Sequence, residues 1–141
     1  MRSLGLDVGD RRIGVAQSDP EGILASPFTI IDRRDDSIDI KAITDIISQQ
    51  QVGQIVVGLP RSMDGSLGKQ AEKVRVFVQK LSSHTEVPVE YRDERLTTVM
   101  AVRLKRVSGG KKTREKARYD AQAAAIILQG YLDEGREPKL T

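Results

Sequence analysis

The first third of the chain alternates between apolar and polar positions in the pattern of β-strands. Leu4, Leu6 and Val8 share one face of a first strand, because successive side chains of a strand point to opposite faces. Two further strands are predicted over Arg12–Ser18 and 28–31, with turn sequences before each. The short connections between these three strands predict an antiparallel meander.

The pattern then changes to the spacing of amphipathic helices, interrupted by short apolar strands. The predicted elements are helices at about 37–51, 66–81, 96–104 and 117–131, and strands at 54–58 and 87–92. This order predicts an α/β fold with a mixed five-stranded sheet, in which two parallel strands join the meander and helices flank the sheet. It is an RNase H-like arrangement. We expect one domain over residues 1–141, with a polar, frayed tail at 133–141.

Composition excludes several kinds of site. The chain has no cysteine and a single histidine, His84, so disulfides, cysteine-based zinc sites and histidine triads are excluded. Any metal is expected to be a hard cation held by carboxylates. No apolar run is long enough to span a bilayer, and the acid at position 7 does not suit a secretory signal. We therefore expect a cytoplasmic protein with no membrane partner.

Positive charge is concentrated in one segment, residues 103–118. The segment has eight basic residues and one acid, Glu115, whereas the whole chain has a net charge of +3. Such a concentration on an otherwise acidic chain suggests a polyanion partner such as nucleic acid. The alternative is a solvated loop that binds nothing.

Asp7 is the first candidate for chemistry. It shares a strand face with the small residues Ser3, Gly5 and Gly9, which leave room for a ligand to approach the backbone. Metal ligation would compensate a buried carboxylate at this position. The alternative is a carboxylate satisfied by the turn at residues 9–12.

Two more acids lie at the end of the last predicted strand. Asp93 and Glu94 precede a predicted helix, where an acidic pair often caps the helix or interacts with its dipole. Strand alternation separates them, because Asp93 shares a face with Tyr91 and Glu94 shares the other with Arg92. Only one of the two acids can therefore point where Asp7 points.

Asp120 is an acid on an otherwise apolar helix face. Ala117, Ala121 and Ala124 surround it at helical spacing. A helix that begins near residue 113 would place Asp120 too far inside to cap it, whereas one that begins near 118 would allow a cap. The small alanines would let the helix approach the sheet and bring Asp120 close to Asp7.

Three carboxylates from a first strand, a later strand end and a last helix suit phosphodiester hydrolysis. Two cations about 4 Å apart, bridged by carboxylate, neutralise the transition state and activate water. Such a mechanism needs no histidine, cysteine or serine nucleophile, and this sequence offers almost none.

Five segments of the chain together resemble the YqgF/RuvX family. They are LGLDVGDRRIGVA at 4–16, VVGLP at 56–60, MDGS at 63–66, DERLTT at 93–98 and DAQAAAIILQ at 120–129. The resemblance implies that Asp7, Glu94 and Asp120 are catalytic, metal-binding acids, and it favours Glu94 over Asp93. It implies Mg²⁺ or Mn²⁺ as the cofactor.

The resemblance implies a nuclease that acts on structured nucleic acid. The family is associated with maturation of the 5′ end of pre-16S ribosomal RNA, and alternatively with resolution of Holliday junctions in branched DNA. A binding module without catalysis is a third possibility, and a monomer and a homodimer both remain open. The expected phosphate contacts are Arg11, Arg12, Arg61, Arg95, Lys111, Lys112 and Arg114.

Overall fold

The computed structural model describes residues 1–60, 68–93 and 113–136, with side chains in the last range described from 120 to 135. The strands are β1 (Arg2–Val8), β2 (Arg12–Ser18), β3 (Ala25–Asp32), β4 (Val52–Leu59) and β5 (Val89–Asp93). The helices are α1 (Asp36–Gln50), α2 (Lys69–Ser82) and α3 (Thr113–Arg136). The helix predicted at 96–104 lies outside the described residues.

The five strands form one mixed sheet in the order β3-β2-β1-β4-β5. β1, β2 and β3 pair antiparallel, whereas β1, β4 and β5 run parallel. This arrangement confirms the predicted meander with two added parallel strands. The acid-bearing β1 is the central strand of the sheet.

Each face of the sheet is covered by its own helices. Leu6, Val15 and Val57 belong to a large apolar cluster that includes residues of α1 and α2. On the opposite face, Ala16 and Val56 pack in a smaller cluster with residues of α3, and we call this face of the sheet the α3 face. Alanines lie on both sides of this contact, Ala16 on β2 and Ala123 and Ala124 on α3, and they allow α3 to lie close to the sheet.

The observed helices begin and end at slightly different residues from those predicted. Asp35 caps α1 by accepting a hydrogen bond from the Ile38 N–H, and Gln51 ends the helix in a left-handed conformation with φ of 53°. α3 continues to Arg136, so the start of the predicted tail is helical, and 137–141 lie outside the described residues.

None of the described helices is long and apolar enough to cross a bilayer.

Candidate active site

Asp7 lies near the carboxyl end of β1, the strand at the centre of the sheet. The preceding and following residues, Leu6 and Val8, belong to the cluster on the α1 and α2 side. Strand alternation therefore directs Asp7 to the α3 face. The residue is 3% exposed, so its carboxylate is removed from bulk water.

Asp120 enters the same face from α3. The helix begins at Thr113, so Asp120 lies beyond the first turn and cannot be its N-terminal cap. The capping alternative is therefore wrong. Asp120 is 3% exposed, and the small neighbours Ala121, Ala123 and Ala124 are buried beside it.

Gly14 brings the two acids together. It lies directly opposite Asp7 in the β1–β2 pairing. A Cβ atom built on Gly14 would be 2.0 Å from the carbonyl oxygen of Asp120, which is far closer than any side chain allows. The backbone of Asp120 thus rests on the residue paired with Asp7, and directly opposed positions of a sheet are only about 5 Å apart at Cβ.

Arg12 is bonded to Asp120 on the α3 face of the sheet. Its Nε donates a hydrogen bond of 2.7 Å to Oδ2 of Asp120, and the two side chains are 15% and 5% exposed. Sequence alone assigns Arg12 to the phosphate contacts rather than to Asp120. Alternation along β2 contained the missing signal, since Arg12 and Gly14 share a face.

Glu94 lies outside the described residues, but β5 shows which face of the sheet Asp93 takes. Arg92 forms an ion pair with Glu134 of α3, so it lies on the α3 face. Asp93 is paired with Leu59, which belongs to the opposite cluster. Asp93 therefore faces away from Asp7 and Asp120. The assignment of Glu94 as the third acid lies outside the described residues and stays a prediction.

The predicted phosphate contacts are only partly within the described residues. Arg11 is exposed in the turn between β1 and β2, and Arg12 is mostly buried. Arg114 belongs to α3, although its side chain is not described. The remaining predicted contacts, Arg61, Arg95, Lys111 and Lys112, lie outside the described ranges.

The donor set suits a hard divalent cation as far as it is described. Asp7 and Asp120 supply carboxylate oxygens, the ligands that Mg²⁺ and Mn²⁺ prefer. Within residues 1–60, 68–93 and 113–136 no group of three such side chains occurs. The predicted third ligand, Glu94, lies outside the residues that the structure describes.

Comparison with known proteins identifies relatives of similar length. A family model described as RuvX, Holliday junction resolvase, matches residues 1–134. A protein of Synechococcus elongatus, named as a candidate pre-16S rRNA nuclease, is 48% identical over 97% of this chain and 92% of its own. A Moorella thermoacetica protein with the same name is 47% identical over 94% of this chain and 95% of its own length.

Solved structures show the same fold at low sequence identity. RuvC of Thermus thermophilus, in complex with a Holliday junction substrate, has a TM-score of 0.58 at 14% identity and covers 95% of this chain and 94% of its own. The Fowlpox virus resolvase in complex with Holliday junction DNA has a TM-score of 0.55 at 10% identity, over 97% and 100%. The fold is RNase H-like, and the match across residues 1–134 together with relatives near 48% identity shows that this chain belongs to the RuvX family.

Proposed function

We propose that this protein is a divalent-metal nuclease that processes the 5′ end of pre-16S ribosomal RNA. The observation that carries the proposal is the burial of two acids, Asp7 and Asp120, with the Asp120 backbone lying against Gly14, the residue paired with Asp7. Burying carboxylates is costly unless cations or hydrogen-bond donors compensate them. Two buried acids on the same face of the central strands are suited to binding a cation.

Asp7, Asp120 and Glu94 would hold Mg²⁺ or Mn²⁺, with two ions as the expected number. When bound, the metal neutralises charge on the phosphodiester and activates the attacking water. The chain supplies carboxylates at fixed positions. β1 holds Asp7, and the contact of the Asp120 backbone with Gly14 fixes the distance of Asp120 from the sheet. Exposed Arg11, at the turn beside the site, is placed to contact a substrate phosphate.

The names of the relatives favour ribosomal RNA as the substrate, and a cytoplasmic location suits that substrate. Junction resolution is the second candidate, because the family description and the structural neighbours refer to Holliday junctions. A four-way junction has two-fold symmetry and would suit a homodimer, whereas trimming one RNA end would not require one.

A side-by-side assay tests the proposal. Wild-type protein is incubated with a pre-16S leader RNA and with a synthetic four-way DNA junction, with and without Mn²⁺. We expect metal-dependent cleavage of the RNA, loss of cleavage in Asp7→Asn, and retention in Asp45→Asn, which changes an exposed acid on α1. Cleavage of the junction alone would favour the resolvase. Binding of both substrates without cleavage would leave a non-catalytic module.

A further inference from the structure

β2 holds Asp120 at two points. Gly14 supports its backbone, since a Cβ there would meet the Asp120 carbonyl carbon at 2.4 Å as well as its oxygen. Two residues earlier on the same strand face, Arg12 bonds the carboxylate at 2.7 Å. The position of Asp120 and the direction of its carboxylate are therefore both set by one strand, which is itself paired with the strand that bears Asp7.

We propose that Arg12 is a positioning residue for the metal site, which fixes the carboxylate of Asp120 in the orientation that binds the cation. This inference rests on the proposed metal-dependent function. Sequence alone suggested that Arg12 contacts phosphate. The inference assigns Arg12 to Asp120 instead. The guanidinium does not contact the reacting atoms and acts through the ligand it holds.

The chemistry of the pair supports orientation rather than simple charge balance. A guanidinium is planar and donates along fixed directions, so it restricts the rotation of a carboxylate in a way that a lysine ammonium does not. The bond is short and charge-assisted, and 15% exposure of Arg12 protects it from water. Partners that hydrogen-bond a metal-ligating group commonly change metal affinity about 10–100-fold when removed.

A charge effect would act in the opposite direction. Arg12 carries a positive charge near the predicted cation, so its repulsion weakens metal binding, and neutralising it would strengthen binding. Arg12→Lys separates the two effects, because it keeps the charge and loses the planar geometry. Orientation predicts weaker metal binding in this variant, whereas charge repulsion alone predicts no change.

The experiment measures Mn²⁺ binding by calorimetry and by water-proton relaxation, without nucleic acid. We expect Arg12→Lys to raise the Kd for Mn²⁺ about tenfold or more, with cooperative thermal unfolding retained. Arg2→Lys is the matched control. Arg2 bonds the Ser18 carbonyl at 3.1 Å on the same strand pair, at the end far from Asp120, so its Kd should equal that of wild type.

The outcomes separate this inference from the proposed function. If wild-type protein does not bind Mn²⁺, or Asp7→Asn binds it equally well, the metal site itself is wrong. If wild type binds, Asp7→Asn does not, and Arg12→Lys has the wild-type Kd or a lower one, only the positioning role is overturned. Arg12→Met provides a second test that lacks the charge: weaker binding than wild type supports orientation, and tighter binding supports charge repulsion.

Discussion

Asp120 and Asp7 are both buried acids, and Asp120 has a charged partner on β2. Asp120 is bonded to Arg12 at 2.7 Å, so its charge compensates a guanidinium that is itself mostly buried. Repulsion between buried carboxylates would favour Asp120→Asn, whereas loss of the ion pair with Arg12 opposes it.

We predict that Asp120→Asn lowers the free energy of unfolding by about 1–3 kcal/mol, because a buried charge loses its opposite partner while the amide oxygen still accepts a hydrogen bond. Asp7→Asn also relieves repulsion between buried carboxylates and leaves the Arg12 bond in place, so it should lower stability less than Asp120→Asn does. Urea denaturation in the absence of metal measures both values. An equal effect of the two substitutions would show that the Arg12 bond contributes nothing specific.

The close approach of α3 to the sheet depends on glycines at facing positions. Gly5, like Gly14, lies against α3 with no room for a side chain, since a Cβ there would be 2.8 Å from Cβ of Leu128. The small residues Ala123 and Ala124 complete the contact from the helix side. Helix and sheet therefore meet at backbone distance, which is what allows a short aspartate to reach the sheet.

Gly14→Ala should displace α3 rather than be absorbed locally, because the obstructing atoms belong to backbone. We expect a loss of about 1–3 kcal/mol in the free energy of unfolding, typical of overpacking, and weaker Mn²⁺ binding with every acid still present. Gly135→Ala is the control, since its Cβ would meet nothing within 4 Å. Wild-type stability and Mn²⁺ affinity in Gly14→Ala would contradict the contact described here.

Arg33 fixes the turn that joins β1 to β2. Its guanidinium bonds the Gly9 carbonyl at 2.9 Å and the carboxylates of Asp36 and Asp39 at 3.0 and 2.7 Å. It also lies over the ring of Phe77, 4.8 Å from the centroid. One side chain thus connects the turn to α1 and α2.

Arg33→Lys should lower the free energy of unfolding by about 2–4 kcal/mol, because the fully buried Asp39 loses a planar partner that lysine does not replace. Arg34→Lys, at the exposed neighbouring position, should change it by less than about 0.5 kcal/mol. Chemical denaturation of the two variants tests the difference. Similar values would mean that the Arg33 contacts are not energetically coupled to folding.

Charge over the whole molecule is concentrated in residues 103–118, most of which lie outside the described ranges. We predict that replacing Lys111, Lys112 and Arg114 by glutamine weakens binding to unrelated nucleic acids about equally. The salt dependence should flatten by roughly one unit of slope per lost contact. Binding titrations at several salt concentrations measure both, with Lys41→Gln on α1 as the control. A wild-type slope in the triple variant would exclude this segment from binding.

Sequence predicted the whole-molecule arrangement well because its signals were local. Alternation defined Arg12–Ser18 to the residue, and the continuously apolar stretch in β4 indicated a strand buried on both faces. The bond between Arg12 and Asp120 was missed because the two residues lie on β2 and α3. Alternation along β2 gives the face of Arg12, but it does not say which helix packs on that face. The Gly14 contact is missed for the same reason: one glycine in a strand does not say which backbone approaches it.

The bond between Arg12 and Asp120 joins residues 108 positions apart in the chain. Domains generally fold from the N-terminus as they are synthesised, and contacts between distant residues form late. The sheet can therefore assemble before α3 has been made, but it then lacks Asp120 and leaves Ala16 and Val56 uncovered. If Asp120 binds the metal as proposed, the metal site is complete only after α3, the last helix described, has been synthesised and has docked on the sheet.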